Sequence, residues 1–138
     1  MNQKHVSLFK DSVARCLASP EFIRDFYDRF TGSSDAIRDK FKDTDFSRQI
    51  QALADSLYMM AVAVHGGPEN LARTGMKHLH VKHRTMGIEP AMYDTWLECL
   101  VDAARTHDLE FSSSIEKAWR ACLAPGIKTV RDGTEFEA

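Results

Sequence analysis

At 138 residues, the chain is long enough to form one compact domain that buries a hydrophobic core without disulfides or a structural metal. Its 18 basic and 20 acidic residues leave a formal net charge of −2, so no strong field directs it toward nucleic acid or anionic lipid. The longest apolar run, residues 57–64, is far too short to span a membrane, and the first residues do not resemble a signal peptide.

The first part of the chain shows the periodicity of helices. Apolar side chains recur at spacings of three and four over residues 4–18, which predicts an amphipathic helix. Ser19 and Pro20 predict the start of a second helix, with Ser19 as its cap and Pro20 in its first turn. The polar stretch 31–35 ends that helix, and we expect an irregular connector over residues 36–46.

The middle of the chain predicts two further helices. Thr44 or Asp45 caps a long helix, which ends at the Gly-Gly stretch before Pro68. Pro68 opens the next helix, which runs to about Arg84. Gly87 then interrupts the helical pattern.

Two long helices are predicted in the last part of the chain. Pro90 starts the first of them, which continues to about His107. The second begins near residues 112–114, and Pro125 lies inside it, where we expect a kink or a break. Residues 131–138 are predicted to form a frayed tail.

Residues 1–138 are therefore interpreted as a single all-α domain of six or seven helices, without any strand. The three cysteines, Cys16, Cys99 and Cys122, are widely spaced and form no CxxC pair. This pattern favours buried, reduced thiols in a cytoplasmic protein over a disulfide framework or a zinc site.

Three histidines lie close together, at His78, His80 and His83. They do not share one helix face as an i, i+4 pair would, so a zinc cluster is not expected. A single imidazole near the end of a helix can instead hold the iron of a planar porphyrin from one side. His83 suits this role because Leu79, one turn earlier on the same face, offers an apolar contact to the ring. His80 is the competing ligand.

A porphyrin site also needs an aromatic side chain against the ring and a polar donor for bound dioxygen. Phe41 lies in the predicted connector, and Tyr27 lies on the inward face of the second helix. Gln49 comes early in the long helix, and Leu53 and Leu57 continue its face at spacings of four. These five side chains are candidates for the side of the ring opposite the histidine.

The segment from His83 onward resembles the bacterial globins: single-domain haemoglobins, the globin domains of flavohaemoglobins and globin-coupled sensors. In these families the iron-binding histidine is the first residue of the pattern His-x-x-x-Gly-Val/Ile/Leu. A proline often follows this pattern, and a tyrosine lies ten positions after the histidine. The matching residues are His83, Gly87, Ile88, Pro90 and Tyr93 (93 − 83 = 10). The resemblance extends from about residue 8 to about residue 123, which implies the globin fold around a haem pocket.

The residues predicted on the distal side, the side of the ring opposite the histidine, resemble those of the bacterial globins as well. The same families place a tyrosine fourteen residues before the connector phenylalanine, and this chain has Tyr27 and Phe41 at that spacing (41 − 27 = 14). The resemblance implies that the hydroxyl of Tyr27 and the amide of Gln49 bind the gas. Gln51 is the alternative to Gln49, although Leu53 and the residues beyond it continue the face of Gln49.

The resemblance implies a haem b cofactor, iron protoporphyrin IX, whose metal ligand is His83. It also implies dioxygen, nitric oxide and carbon monoxide as ligands. Tyr93 either hydrogen-bonds near the histidine or packs in the core. The residues expected to contact the cofactor are Phe41, Leu53, Leu57, Leu79, His83, Ile88 and Tyr93.

The biological use is open at this stage. The chain is predicted to be an oxygen carrier or store, or a gas sensor that acts on a separate signalling partner, with no catalytic residue assigned. Nitric oxide dioxygenase activity is an alternative that requires a separate reductase. A globin-fold signalling module without haem is the alternative from another class of protein. Both a monomer and a homodimer are compatible with the sequence.

Overall fold

A computed structural model describes residues 3–63 and 87–132 of the protein. These two ranges are helical and contain no strand, which confirms the predicted all-α class. The helices, numbered here in chain order, are α1 (Gln3–Leu17), α2 (Phe22–Thr31), α3 (Asp35–Lys40), α4 (Phe46–Ala63), α5 (Pro90–His107) and α6 (Ser113–Asp132). The helix predicted between Pro68 and Arg84 lies outside the described residues.

The core forms where the first and last helices meet. The apolar stripe of α1 is buried against α6, and α2 packs mainly against α5. Phe9 of α1 meets the edge of Trp119 of α6 with ring centroids 5.2 Å apart, and both side chains are fully buried. Such aromatic pairs add about 0.5–1.5 kcal/mol to the free energy gained from burial alone. No helix within the described ranges has the length and apolar character needed to cross a membrane.

A buried carboxylate connects three parts of this core. Asp108, directly after α5, accepts hydrogen bonds from Ser12 Oγ at 2.6 Å and from Arg15 Nε at 2.6 Å. The Ser12 hydroxyl oxygen in turn accepts a bond from Trp119 Nε1 at 2.8 Å. Because a buried charge needs a partner and hydrogen bonds, this cluster specifies how α1, α6 and the end of α5 meet.

The second helix begins later than predicted, at Phe22, and Ser19 does not cap it with its side chain. The backbone carbonyl of Ser19 accepts the Phe22 N–H at 3.2 Å, in a turn before the helix. The Ser19 hydroxyl instead lies 2.8 Å from Nδ1 of His107, at the end of α5. The prediction that Ser19 caps α2 is therefore wrong, because the Ser19 hydroxyl pairs with the imidazole of His107 and not with a backbone amide of α2.

The predicted irregular connector is also partly wrong, since it contains the short helix α3. Ser34 caps this helix, and its hydroxyl accepts the N–H of Ile37 at 3.1 Å. Burial of Ile37 holds the single turn against the core. Of the two predicted caps for the long helix, Asp45 is the one used: its Oδ1 accepts the backbone N–H of Ser47 at 3.1 Å.

The predicted range of α5 is confirmed at both ends, at Pro90 and His107. Of the kink or break expected at Pro125, the break is wrong, because α6 continues through the proline to Asp132. An interior proline costs a helix about 3 kcal/mol or more. Here the apolar face is buried both before Pro125, at Leu123, and after it, at Val130, so packing holds the helix together. Of the predicted tail, residues 133–138 lie outside the described part.

Candidate functional site

A tyrosine and a glutamine meet between α2 and α4. Tyr27 is buried with only 5% of its surface exposed, and Gln49 is half-buried. Gln49 Nε2 donates a hydrogen bond to Tyr27 Oη at 3.0 Å. The amphipathic pattern of α2 turns Tyr27 inward, and the Asp45 cap starts α4 so that Gln49 faces it from the first turn.

The proton of the Tyr27 hydroxyl is available for a ligand. Burial raises the pKa of Tyr27, and the hydrogen bond from Gln49 partly opposes this shift, so the phenol stays protonated at neutral pH. Its oxygen accepts from Gln49, while its own O–H has no acceptor among the residues in the described ranges. A buried donor without an acceptor is a ready partner for a polar molecule that enters beside it.

The competing glutamine points elsewhere. Gln51 is exposed, and its Nε2 donates to Asp55 Oδ1 at 2.8 Å on the outer face of α4. Gln49 is thus the amide that the fold brings to Tyr27. Its role toward a gas stays a prediction.

Aromatic rings surround the tyrosine. The ring centroid of Phe41 lies 5.8 Å from that of Tyr27, and the ring centroid of Phe46 lies 5.7 Å from it. Phe41 and Phe46 also stack on each other at 6.1 Å. Sequence analysis missed Phe46, whose only signal is its place directly after the Asp45 cap, where the first turn of α4 faces the core.

The remaining predicted contacts are distributed as follows. Leu53 and Leu57 lie on the same face of α4 as Gln49, and both are buried. Ile88 is partly buried against the core, and Tyr93 is half-buried, which raises the pKa of its phenol. Leu79 and His83, the predicted cofactor contact and metal ligand, lie outside the described residues, as do the neighbouring histidines.

Comparison with known proteins shows that this helical fold, with its tyrosine between α2 and α4, is that of a globin. The fold is similar to the crystal structure of PA3967 from Pseudomonas aeruginosa PAO1, a protein described as structurally highly homologous to a human haemoglobin. The TM-score is 0.85 at 30% sequence identity, over 94% of this chain and 97% of that one. The family model for bacterial-like globins matches residues 13–124, and the chain belongs to this family. Comparison with curated proteins gave no match.

Globin membership implies a haem cofactor and diatomic gases as its ligands. The described side chains fit such a group on the distal side. The hydroxyl proton of Tyr27 has no acceptor within residues 3–63 and 87–132, and the buried Leu53 and Leu57 continue the same side of α4 as an apolar wall. Phe41 adds an aromatic ring beside them. This combination of one polar donor within apolar surroundings is typical of small-ligand sites.

Proposed function

We propose that the chain binds haem b through His83 and takes up dioxygen reversibly. Nitric oxide and carbon monoxide are expected to bind at the same place. The single observation that carries this proposal is the buried Tyr27–Gln49 hydrogen bond, which leaves the tyrosine proton without a described acceptor. When bound, haem supplies an iron atom that a diatomic gas can reach from the distal side.

The two polar side chains then have different tasks. Gln49 donates to the oxygen of Tyr27, so the hydroxyl proton is directed away from the amide. Tyr27 donates that proton in a hydrogen bond to the gas. A neutral hydrogen bond contributes about 0.5–1.5 kcal/mol net, and roughly twice that if the acceptor carries charge. Gas that develops negative charge, such as dioxygen, is therefore retained more strongly than carbon monoxide.

A hydrogen bond from Tyr27 to bound dioxygen would slow its release, and slow release suits a store or a sensor better than a carrier. We propose one of these two uses, with a separate signalling partner if the protein is a sensor. The cysteines Cys16, Cys99 and Cys122 are all free in the structure, which supports a reducing compartment such as the cytoplasm. Nitric oxide dioxygenase activity is the enzymatic alternative, and it requires a separate reductase to return the cofactor to its reduced state.

The visible spectrum of the purified protein reconstituted with haem tests the proposal. We expect a five-coordinate ferrous spectrum that changes on exposure to oxygen, because no histidine lies near Tyr27 among the described residues of α2 and α4. His83→Ala should abolish these spectra or weaken haem uptake. An unaltered protein that takes up no haem would contradict the proposal and favour the haem-free alternative.

Oxygen dissociation measured by stopped flow tests the distal assignment. Tyr27→Phe should release oxygen about ten times faster, since losing about 1.4 kcal/mol corresponds to a tenfold change. Tyr58→Phe is the matched control because Tyr58 is 64% exposed on the same α4 helix that carries Gln49. Equal rates in both variants would remove Tyr27 from the ligand site.

The enzymatic alternative has its own test. Steady conversion of nitric oxide to nitrate with an added reductase would support nitric oxide dioxygenase activity.

A further inference from the structure

Lys40 is a half-buried cation at the end of α3, and its ammonium group reaches a distant part of the chain. A Cβ atom added to Gly87 would lie 2.8 Å from Lys40 Nζ and 3.9 Å from its Cε. The side chain of Lys40 therefore lies against the backbone turn just before α5. The contact joins the α3–α4 connection to the start of the segment that leads into α5.

Each of the two residues in this contact, Lys40 and Gly87, is followed in sequence by a residue predicted to touch the cofactor. Phe41 directly follows Lys40, and Ile88 directly follows Gly87. Both Phe41 and Ile88 are partly buried and pack against the core. The ammonium group is thus held at the border of the apolar region that the proposed function assigns to the porphyrin.

Lys40 differs from its basic neighbours in having no negative partner in the described part of the chain. Arg38 pairs with Asp35 at 3.5 Å, and Lys42 pairs with Asp39 at 3.6 Å. Lys40 has neither an ion pair nor a hydrogen bond with any described residue. A half-buried ammonium group that has no counter-charge among the described residues is available to pair with an anion that binds beside it.

Iron protoporphyrin IX carries two carboxylate side chains on one edge of an otherwise apolar ring. We propose that Lys40 binds one of these carboxylates and so helps to retain the cofactor. The inference rests on the proposed function. An acidic side chain from the segment outside the described residues is the other possible source of a carboxylate, and the experiment below separates the two.

The test compares haem with its dimethyl ester, in which both carboxylates are neutral. The full-length protein is loaded with either cofactor, and the rate of loss to an excess of haem-free myoglobin is followed by absorbance. Lys40→Met should lose haem about three- to fivefold faster than the unaltered protein, the upper part of the range expected for one solvent-accessible ion pair. With the dimethyl ester, Lys40→Met and the unaltered protein should lose the cofactor at the same rate.

Two further variants complete the design. Lys42→Met is the matched control, because it removes an exposed cation that is already paired, and it should leave both rates unchanged. Lys40→Arg keeps the positive charge and should restore slow haem loss. Acceleration by Lys40→Met that is equal for both cofactors, or absent with haem, would overturn the inference while the proposed function stands. If the unaltered protein takes up neither cofactor, both the proposed function and this inference fail.

Discussion

Asp108→Asn tests whether the buried carboxylate beyond α5 holds the core together. The Asp108 side chain is fully buried. Its Oδ1 accepts from Arg15 Nε at 2.6 Å and from the N–H of Glu110 at 3.0 Å. Its Oδ2 accepts from Ser12 Oγ at 2.6 Å and from Arg15 Nη2 at 3.0 Å. In either orientation of an asparagine amide, its NH2 group would face an Arg15 donor, so at least one bond is lost along with the charge.

The expected loss follows from these contacts. Hydrogen bonds to a charged group contribute about 1.5–3 kcal/mol each, but Arg15 is 31% exposed and solvent weakens its share. We therefore expect Asp108→Asn to lower the free energy of unfolding at pH 7 by about 2–3 kcal/mol. For a domain of this size the loss corresponds to a decrease in Tm of roughly 10 °C.

The loss should depend on pH. Burial raises the pKa of Asp108, but the hydrogen bonds from Arg15 and Ser12 outweigh burial, and the net pKa is lowered. A carboxyl whose pKa is lower in the folded state stabilises the protein above its unfolded pKa of about 3.9. This stabilisation is lost as the pH falls from that value through the folded pKa. The difference between variant and unaltered protein should be constant above about pH 5 and shrink below pH 4.

Urea unfolding at pH 7 and at pH 3.5, followed by circular dichroism, measures both effects. Asp39→Asn is the control, because Asp39 is an exposed aspartate that forms an ion pair with Lys42 at 3.6 Å and with no other residue of the described ranges. This variant should unfold like the unaltered protein at both pH values. A loss of equal size in Asp108→Asn at pH 7 and at pH 3.5 would show that packing, and not the charge, is responsible.

Three further predictions concern single side chains. Gln49→Leu should raise the pKa of Tyr27 further, because the hydrogen bond that lowers it is gone; ultraviolet titration of the phenol measures this, and an unchanged value would contradict the contact. Gly87→Ala should lower the free energy of unfolding by about 1–2 kcal/mol, because Gly87 has a φ of 76° that alanine rarely adopts. Gly87→Asn should lower it by less, since asparagine tolerates this φ. Equal losses in urea unfolding would argue against backbone strain. Thiol reagents at pH 8 should label half-buried Cys99 before Cys16, because burial raises the pKa of Cys16 to about 12. Mass spectrometry of the modified peptides gives the order of labelling. Early labelling of Cys16 would contradict its burial.

Local sequence was sufficient for several helices. The range of α5 could be predicted at both ends, because Pro90 favours a first helical turn and the apolar periodicity ends near His107. The Asp45 cap was one of two predicted candidates, since an aspartate side chain satisfies the amides directly after it. In each case the interacting groups lie within one or two turns along the chain.

Side chains with a choice between near and distant partners could not be assigned in this way. Ser19 was predicted to cap α2, but its hydroxyl lies against His107, whose Nε2 is also 3.0 Å from Asp25 Oδ2. No role for His107 could be derived from its neighbours in sequence. Similarly, Pro125 was predicted to kink or break α6, but the helix continues because it packs against α1, about a hundred residues earlier along the chain, and against α5.

The sequence by itself determined the all-α class and the amphipathic faces, because each of these depends on spacing along one helix. The resemblance to bacterial globins added Tyr27 and Gln49 as the candidate pair on the distal side. Only the tertiary structure decided that Gln49 and not Gln51 meets the tyrosine, and that Phe46 joins the aromatic side chains around it. The reason is geometric: periodicity states which way a side chain points from its own helix axis. It cannot state where the axes of α2 and α4 cross, and the crossing decides which two inward side chains come within 3.0 Å.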